Sequence, residues 1–273
     1  MTTDTTIDGA GASRLAARDL AVGYDDRRII DALDVAIPDG SFTVIVGPNA
    51  CGKSTLLRSL ARLLRPSSGS VVLDGEDIHG LPAKAVAQRL GLLPQSSIAP
   101  DGITVVDLVA RGRFPHQGML RRWSDEDERA VREAMAATGV ADLSARPVDH
   151  LSGGQRQWVW IAMVLAQETP LLLLDEPTTY LDIAYQIEVL ELCQRLNRGG
   201  RTLVAVLHDL NQAARYATHL VAMRDGALLG QGPPSAVVTA PMVERIFGVR
   251  SRIIADPETG TPLVVPLAEG AVG

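Results

Sequence analysis

The sequence has 273 residues, enough for one large domain or two small ones, with 46% hydrophobic and 21% charged residues, as is typical of a globular protein. A net charge of −6, from 26 basic and 32 acidic residues, argues against a nucleic-acid partner. No apolar run approaches the roughly 20 residues that span a bilayer, the N-terminal stretch lacks the features of a secretory signal, and two cysteines are too few for a disulfide scaffold. We therefore expect a reduced cytosolic compartment, with any membrane role acting through a partner.

The N-terminal part predicts a tail followed by an antiparallel pair of strands. Residues 1–13 are small and polar without a period, which predicts a disordered tail. The apolar stretches Leu20–Val22 and Leu33–Ile37 predict strands on either side of a charged turn. Tyr24 precedes that turn; its ring can stack on an adenine, but a lone tyrosine at a strand end more often packs on the sheet.

The segment GPNACGKSTLL, residues 47–57, has the G-x-x-x-x-G-K-S pattern of a phosphate-binding loop. It follows the apolar run Phe42–Val46 and precedes an apolar pattern of helical period that extends to Leu64, so strand, loop and helix succeed one another. Its two glycines let N–H groups turn toward an anion, next to the positive end of a helix. Lys53 can reach the β- and γ-phosphates, and the Ser54 hydroxyl can ligate Mg²⁺. The residues expected to contact a nucleoside triphosphate here are Gly47, Pro48, Asn49, Ala50, Cys51, Gly52, Lys53, Ser54 and Thr55.

The middle of the chain changes to a helical pattern. From Thr104 to about residue 139 the apolar spacing is helical, with Ser124 as the N-cap of a helix whose acidic first turn we expect to be solvated. Between the helices lies RGRFPHQGMLRRW, residues 111–123, which is too rich in glycine and proline for one continuous helix. A protein-contact loop or a plain solvated loop explains this segment better than a membrane or nucleic-acid patch.

Three further segments carry candidate chemistry. LSGGQRQ, residues 151–157, places small residues at the start of a second helix, where N–H groups can again bind an anion. LLLLDEP, residues 171–177, predicts a buried strand that brings two acids to its C-terminal edge, where Mg²⁺ can compensate their burial. Thr202–Asp209 predicts another buried strand that brings His208 to the same edge. A helix from residue 183, with Ile187 on its apolar side, and a C-terminal hairpin with its turn near residues 256–260 are also predicted.

In this combination and order, the motifs resemble those of the ATP-binding subunits of ABC transporters over roughly residues 14–250. GPNACGKS is similar to the Walker A loop, LLLLDEP to Walker B, and LSGGQ matches the family signature. The resemblance implies an α/β fold with a P-loop NTPase (RecA-like) core, an antiparallel β element and an inserted helical subdomain. The implied divisions are a core at 14–95 and 161–250, a helical subdomain at 96–160, and a hairpin extension at 251–273.

The resemblance also implies roles for single residues. Glu176 takes the general-base position, His208 the switch position that holds the γ-phosphate, and Gln95 the Q-loop position that couples metal to partner movement. Asp175 is expected to bind Mg²⁺ together with Ser54 and Gln95. Lys53 is expected to offset charge, Tyr24 to stack on adenine, and Asp182 to lie in the D-loop. Two copies are expected to enclose two ATP molecules, with the signature residues Ser152, Gly153, Gly154 and Gln155 of each copy meeting the other copy's γ-phosphate.

RGRFPHQ and TTYLDIAYQIEVLEL, residues 178–192, resemble the importers of ferric siderophores. Trp158 and Tyr185 depart from the residues usual in relatives, arginine and histidine. Importers of haem or cobalamin share this sequence character and remain the alternative, and a non-transport ABC ATPase is disfavoured because no coiled coil or second cassette is present. The implied partners are a second copy, membrane permease subunits and, indirectly, an extracytoplasmic binding protein, with the chain at the cytoplasmic face of the membrane.

Overall fold

The computed structural model describes residues 13–24, 27–95, 98–118, 123–179 and 181–267. Outside the described residues lie nearly all of the predicted tail, two residues of the charged turn after Tyr24, the part of RGRFPHQGMLRRW at 119–122, Tyr180 of the TTYLD motif, and the end of the C-terminal extension. Among the described residues, no helix is both long enough and apolar enough to cross a bilayer.

The strands and helices alternate along much of the chain. The strands are β1 (Leu15–Tyr24), β2 (Arg27–Ile37), β3 (Phe42–Val46), β4 (Ser68–Leu73), β5 (Glu76–Asp77), β6 (Leu90–Leu93), β7 (Leu171–Asp175), β8 (Thr202–Val206), β9 (His219–Arg224), β10 (Ala227–Gly232), β11 (Ser251–Ala255) and β12 (Pro262–Pro266). The helices are α1 (Lys53–Leu60), α2 (Ala83–Ala87), α3 (Val105–Ala110), α4 (Asp125–Ala137), α5 (Gly153–Ala166), α6 (Ile183–Arg198), α7 (Leu210–Tyr216), α8 (Pro234–Val237) and α9 (Ala240–Phe247).

A six-stranded sheet in the order β10-β9-β3-β8-β7-β6 forms the centre of the fold. The strands from β9 to β6 run parallel, and β10 pairs antiparallel at one edge. Because β3, β7 and β8 lie side by side, the residues that follow Val46, Asp175 and Val206 meet at one edge. The phosphate loop, Glu176 and His208 therefore converge, as the sequence predicts.

Strand β3 is buried on both faces, which explains its unbroken apolar sequence. Phe42, Val44 and Val46 pack in a core that includes α5 and α6, whereas Ile45 points into a second core against α1 and the antiparallel sheet. That second sheet has the order β2-β1-β4-β5, which confirms the predicted antiparallel element. Helix α1 is shorter than predicted: it ends at Leu60, and Leu63 is exposed.

The helical region differs from prediction in one respect that has a physical cause. Ser124 caps α4 with a full capping box, as predicted, but Asp127 in the acidic first turn is completely buried instead of solvated. It is paired with Arg113, which lies in a 3₁₀ helix over Arg111–His116 and is 1% exposed. A charge is buried here because a second, opposite charge is buried with it.

Two further findings concern the predicted boundaries. Helix α5 runs without a break across residues 160 and 161, where the helical subdomain is predicted to end, so the chain has no linker at that point, and the division stays a prediction. The C-terminal hairpin β11–β12 forms with its turn at residues 256–260, as predicted. Ile187 is exposed, contrary to prediction, because α6 buries the face that carries Val189 and Cys193.

Candidate active site

The phosphate-loop sequence folds into a tight turn between β3 and α1. A Cβ at Gly47 would lie 2.2 Å from the Met223 carbonyl oxygen, so only glycine fits there. Gly52 has φ 103 and is the N-cap residue of α1, with no side chain to cap the helix, which leaves the first N–H groups available to an anion. The Lys53 Nζ donates to the carbonyl oxygens of Gly47 and Pro48, both at 2.8 Å, and so lies over the loop.

Cys51 is a buried part of this loop. Its side chain is 4% exposed, and burial raises the pKa of the thiol more than the charge of Lys53 lowers it. The thiol form is therefore favoured over the reactive thiolate. This environment supports the interpretation of Cys51 as a small loop residue.

Asp175 ends β7 as a buried carboxylate with an unsatisfied oxygen. Burial raises its pKa, a shift that a hydrogen bond from Ser54 and the charge of Arg58 only partly offset. Its Oδ1 is buried without a hydrogen-bond partner, and Oδ2 lies 3.4 Å from the Arg58 Nε. A hydroxyl and one carboxylate suit Mg²⁺, which binds through few protein oxygens and completes its shell with phosphate and water. The residues present therefore fit this cation.

Glu176 follows Asp175 in a strained backbone conformation, with φ 53. Its Oε1 lies 2.9 Å from the Nε2 of His208, and its Oε2 accepts hydrogen bonds from the Gln95 amide at 2.7 Å and the Thr179 hydroxyl at 3.1 Å. Burial raises the pKa of Glu176, but His208, Thr179 and Gln95 together outweigh it and lower the pKa. The carboxylate is therefore ionised near neutral pH, as a general base must be.

The phosphate loop and Glu176 face one cavity of about 440 Å³. Its lining residues are Arg27, Ile29, Asn49, Ala50, Gly52, Lys53, Ser54, Thr55, Gln95, Glu176 and His208. The sequence pointed to most of these residues but missed Arg27 and Ile29. They belong to no motif, and their only sequence signal is that they closely follow Tyr24, with Arg27 inside the charged turn itself.

Tyr24 itself is half-exposed at the end of β1 and is not among the lining residues of the cavity. Burial lowers the pKa of Arg58, but the interactions of Arg58 with the Tyr24 side chain and with the charge of Asp175 outweigh burial and raise the pKa. Tyr24 and Asp175 thus both influence the same guanidinium. Its role in stacking on adenine stays a prediction.

The signature residues form a helix start away from this cavity. Ser152 caps α5, and a capping box joins its side chain and backbone to Gln155. The ring of Tyr185 lies about 3.7 Å from where a Cβ would stand at Gly154, so it covers that glycine. None of the four signature residues lines the phosphate-loop cavity, and neither does Asp182, which caps α6. Within one chain, the structure thus leaves the two helix starts that are predicted to bind anions apart.

Comparison with known proteins extends this picture. The family model described as ABC transporter matches residues 30–179, more than half of the chain. The ferric enterobactin transport ATP-binding protein of Escherichia coli (strain K12) is 58% identical over 95% of this chain and 96% of its own. A probable siderophore transport system ATP-binding protein of Bacillus subtilis (strain 168) is 52% identical over 95% of both chains.

Solved structures share the fold. A putative metal-chelate type ABC transporter in an inward-facing conformation superposes with a TM-score of 0.80 at 27% identity, covering 95% of this chain and 99% of that one. A dimeric ATP-binding cassette in a post-hydrolysis state, bound to ADP and Pi, superposes with a TM-score of 0.71 at 26% identity, covering 80% of this chain and 98% of that one.

Proposed function

The chain belongs to the ABC transporter family, and from that membership we propose that it is the ATP-hydrolysing subunit of an importer of iron–siderophore complexes. ATP-binding proteins of this family bind ATP, form dimers and work with membrane permease subunits. The chain acts in this proposal at the cytoplasmic face of the membrane, on a permease that receives cargo from an extracytoplasmic binding protein. The cargo never meets the site described above.

One observation carries the proposed ATP hydrolysis: an ionised glutamate faces the phosphate loop across a shared cavity. Glu176, His208 and Gln95 line one side of this cavity, and Lys53 and Ser54 line the other. A triphosphate whose terminal phosphate is held by the loop therefore presents that phosphate to Glu176.

The proposed mechanism assigns one task to each group. Lys53 and the N–H groups at the start of α1 bind and neutralise the phosphates. Ser54 and Asp175 would hold Mg²⁺, and the bound cation would offset the negative charge of the reacting phosphates. Glu176 orients the attacking water and takes its proton on a carboxylate oxygen, and His208 holds the γ-phosphate in line. Gln95, which is hydrogen-bonded to Glu176, couples the occupancy of the site to movement of the partner subunits.

The site is proposed to be completed by a second copy. Support comes from the capped helix start at Ser152–Gln155, which is built like an anion site but lies away from the cavity of its own chain. The dimeric cassette of similar fold also supports a paired arrangement. In this proposal the signature of one copy binds the γ-phosphate held by the other.

The cargo is inferred from the relatives, since two of them carry ferric enterobactin or siderophore transport in their names. The helical region offers a surface through which a permease can be recognised. Phe114 is 60% exposed there, within a 3₁₀ helix whose neighbouring residue Arg113 is buried. Aromatic residues such as this exposed ring are enriched in protein interfaces.

Uptake of labelled iron tests the proposed cargo. A strain that lacks this gene should lose uptake of radiolabelled ferric siderophores and keep uptake of labelled cobalamin and haem. The wild-type gene should restore iron uptake, and a gene that encodes Lys53→Ala should not. Unchanged siderophore uptake, in a strain shown to hold no second ATPase of this subgroup, contradicts the proposal, and a selective loss of cobalamin or haem uptake favours the alternative.

A further inference from the structure

Gln157 joins helix α5 to the turn that carries Glu176. Its Nε2 donates a hydrogen bond to the carbonyl oxygen of Pro177 at 3.1 Å, in a partly buried position. Gln157 lies in the second turn of α5, and Pro177 directly follows Glu176. The contact therefore links a rigid 14-residue helix to the peptide next to the proposed general base.

The Glu176 turn needs such support because its backbone is strained. A glutamate with φ 53 occupies the left-handed region, which costs roughly 1 kcal/mol or more and persists only where surrounding contacts enforce it. The turn supplies two of these contacts itself: Thr179 donates through its backbone N–H to the Glu176 carbonyl and through its hydroxyl to the Glu176 carboxylate. Gln157 adds a contact from a separate element of the core.

We propose that Gln157 is a positioning residue for ATP hydrolysis, which fixes the Pro177 peptide and through it the direction of the Glu176 carboxylate. The inference rests on the proposed function, since it needs Glu176 to act as the base. Gln157 does not line the phosphate-loop cavity, so its loss should leave nucleotide binding intact. The effect should fall on kcat and spare KM.

Gln157→Met tests this role, because it keeps the length of the side chain and removes the donor. Gln167→Met is the matched control: Gln167 ends the same helix, and its amide also donates to backbone carbonyls, those of Ala87 and Leu90. For the full-length protein with Mg²⁺ and ATP, we expect Gln157→Met to lower kcat about tenfold with KM within twofold, as for other small misplacements of a catalytic group. The control should keep both values.

A double variant shows whether Gln157 acts through Glu176. In a Glu176→Gln background, Gln157→Met should lower the residual turnover no further, because the base it positions is already gone. Equal losses in both backgrounds, or equal kcat for the Gln157 and Gln167 variants, would overturn the inference while leaving the proposed function intact. A wild-type protein without any ATP turnover would instead contradict the proposed function.

A second substitution guards against a simple folding defect. Gln157→Glu keeps the shape of the side chain but turns an acceptor toward the Pro177 carbonyl, so it should lower kcat at least as much as Gln157→Met. Thermal unfolding of every variant is followed by circular dichroism. A drop in kcat that follows only the drop in melting temperature across the variants, the Gln167 control included, would also overturn the inference.

Discussion

At the scale of single residues, the site contrasts two adjacent carboxylates. Burial raises the pKa of Asp175, which has one unsatisfied oxygen, whereas hydrogen-bond donors overcome burial and lower the pKa of Glu176. A carboxylate without enough donors suits a cation, and a carboxylate surrounded by donors stays ionised and oriented. The different surroundings of the two acids thus agree with their different proposed roles.

The first prediction concerns Glu176→Gln. The amide cannot accept the proton of the attacking water, so ATP turnover should fall by about a hundredfold or more. ATP binding should remain, since Lys53 and α1 are unchanged, and the variant should accumulate as an ATP-bound dimer. Phosphate release measures turnover, and size-exclusion chromatography with light scattering measures the dimer.

Glu244→Gln is the matched control for this prediction. Glu244 is an exposed glutamate on α9, outside the cavity, so its variant should hydrolyse ATP like the wild type. Normal turnover in the Glu176 variant would contradict the role assigned to Glu176.

At the scale of elements, a partly buried ion-pair network joins the helical region to the end of α5. Arg113 donates to Asp127 at 2.9 Å, and also to the Ala166 carbonyl at 2.9 Å and to Glu168 at 2.8 Å. Arg129 on α4 donates to the same Glu168 at 3.0 Å. The 3₁₀ helix, α4 and the end of α5 are thus joined by a network in which the Arg113–Asp127 pair is buried and Glu168 and Arg129 reach solvent.

The second prediction is that Arg113→Met destabilises the fold by about 3 kcal/mol, because it leaves the Asp127 carboxylate buried without its partner. Urea unfolding measures the loss. Arg129→Met is the control: Arg129 is 40% exposed and also pairs with Glu168, so its loss should destabilise the fold much less than the loss of Arg113. Equal losses for the two variants would show that burial of the Arg113 pair is not decisive.

The same pair gives stability a dependence on pH. Burial raises the pKa of Asp127, but hydrogen bonds from Arg113 and Ser124 outweigh it and lower the pKa. A carboxylate whose pKa is lower in the folded than in the unfolded state stabilises the fold above its unfolded value of about 3.9. This contribution should be lost as the pH falls through the folded value, and Arg113→Met should flatten that part of the profile.

The fold was predictable where local sequence decides it and was not where distant contacts decide it. The run Phe42–Val46 and the glycines of the phosphate loop allow essentially one local structure. Asp127, by contrast, is interpreted from the sequence as part of a solvated helix start, because only the fold places Arg113 next to it. Helix α7 was not predicted, because it has only seven residues and depends on contacts with distant parts of the chain. One such contact is the pair of hydrogen bonds between the Asn211 side-chain amide and the backbone of Val264 in the hairpin.

The same distinction applies to the site. Lys53 and Ser54 stand in a contiguous motif, and Glu176 and His208 end parallel strands, so strand order alone brings them together. Gln157 lies next to a motif, but its contact with Pro177 depends on how α5 meets the end of β7, which no pattern in the sequence encodes.

At the scale of the whole molecule, one chain holds the two unlike parts of the proposed ATP site. The phosphate-loop cavity lacks the signature residues, and the signature helix start lacks a phosphate loop. A dimer with twofold symmetry would place each half against its complement twice. Complementation between two defective chains can test this arrangement.

The final prediction uses Lys53→Ala, which disables the phosphate loop, and Gly153→Asp, which disables the signature. No atom lies within 4 Å of where a Cβ would stand at Gly153, so the aspartate should fit the fold while its charge repels a γ-phosphate. Each variant alone should be inactive, because both sites of its own dimer carry the same defect. In a mixed dimer, one site carries both defects and the other carries none.

An equal mixture of the two variants should therefore recover roughly a quarter of wild-type ATP turnover. Half of randomly assorted dimers are mixed, and each mixed dimer has one intact site of two. A chain that carries both substitutions is the control, and mixing it with either single variant should restore nothing. If each site were complete within one chain, the mixture of single variants would also stay inactive, and the shared-site arrangement would be wrong.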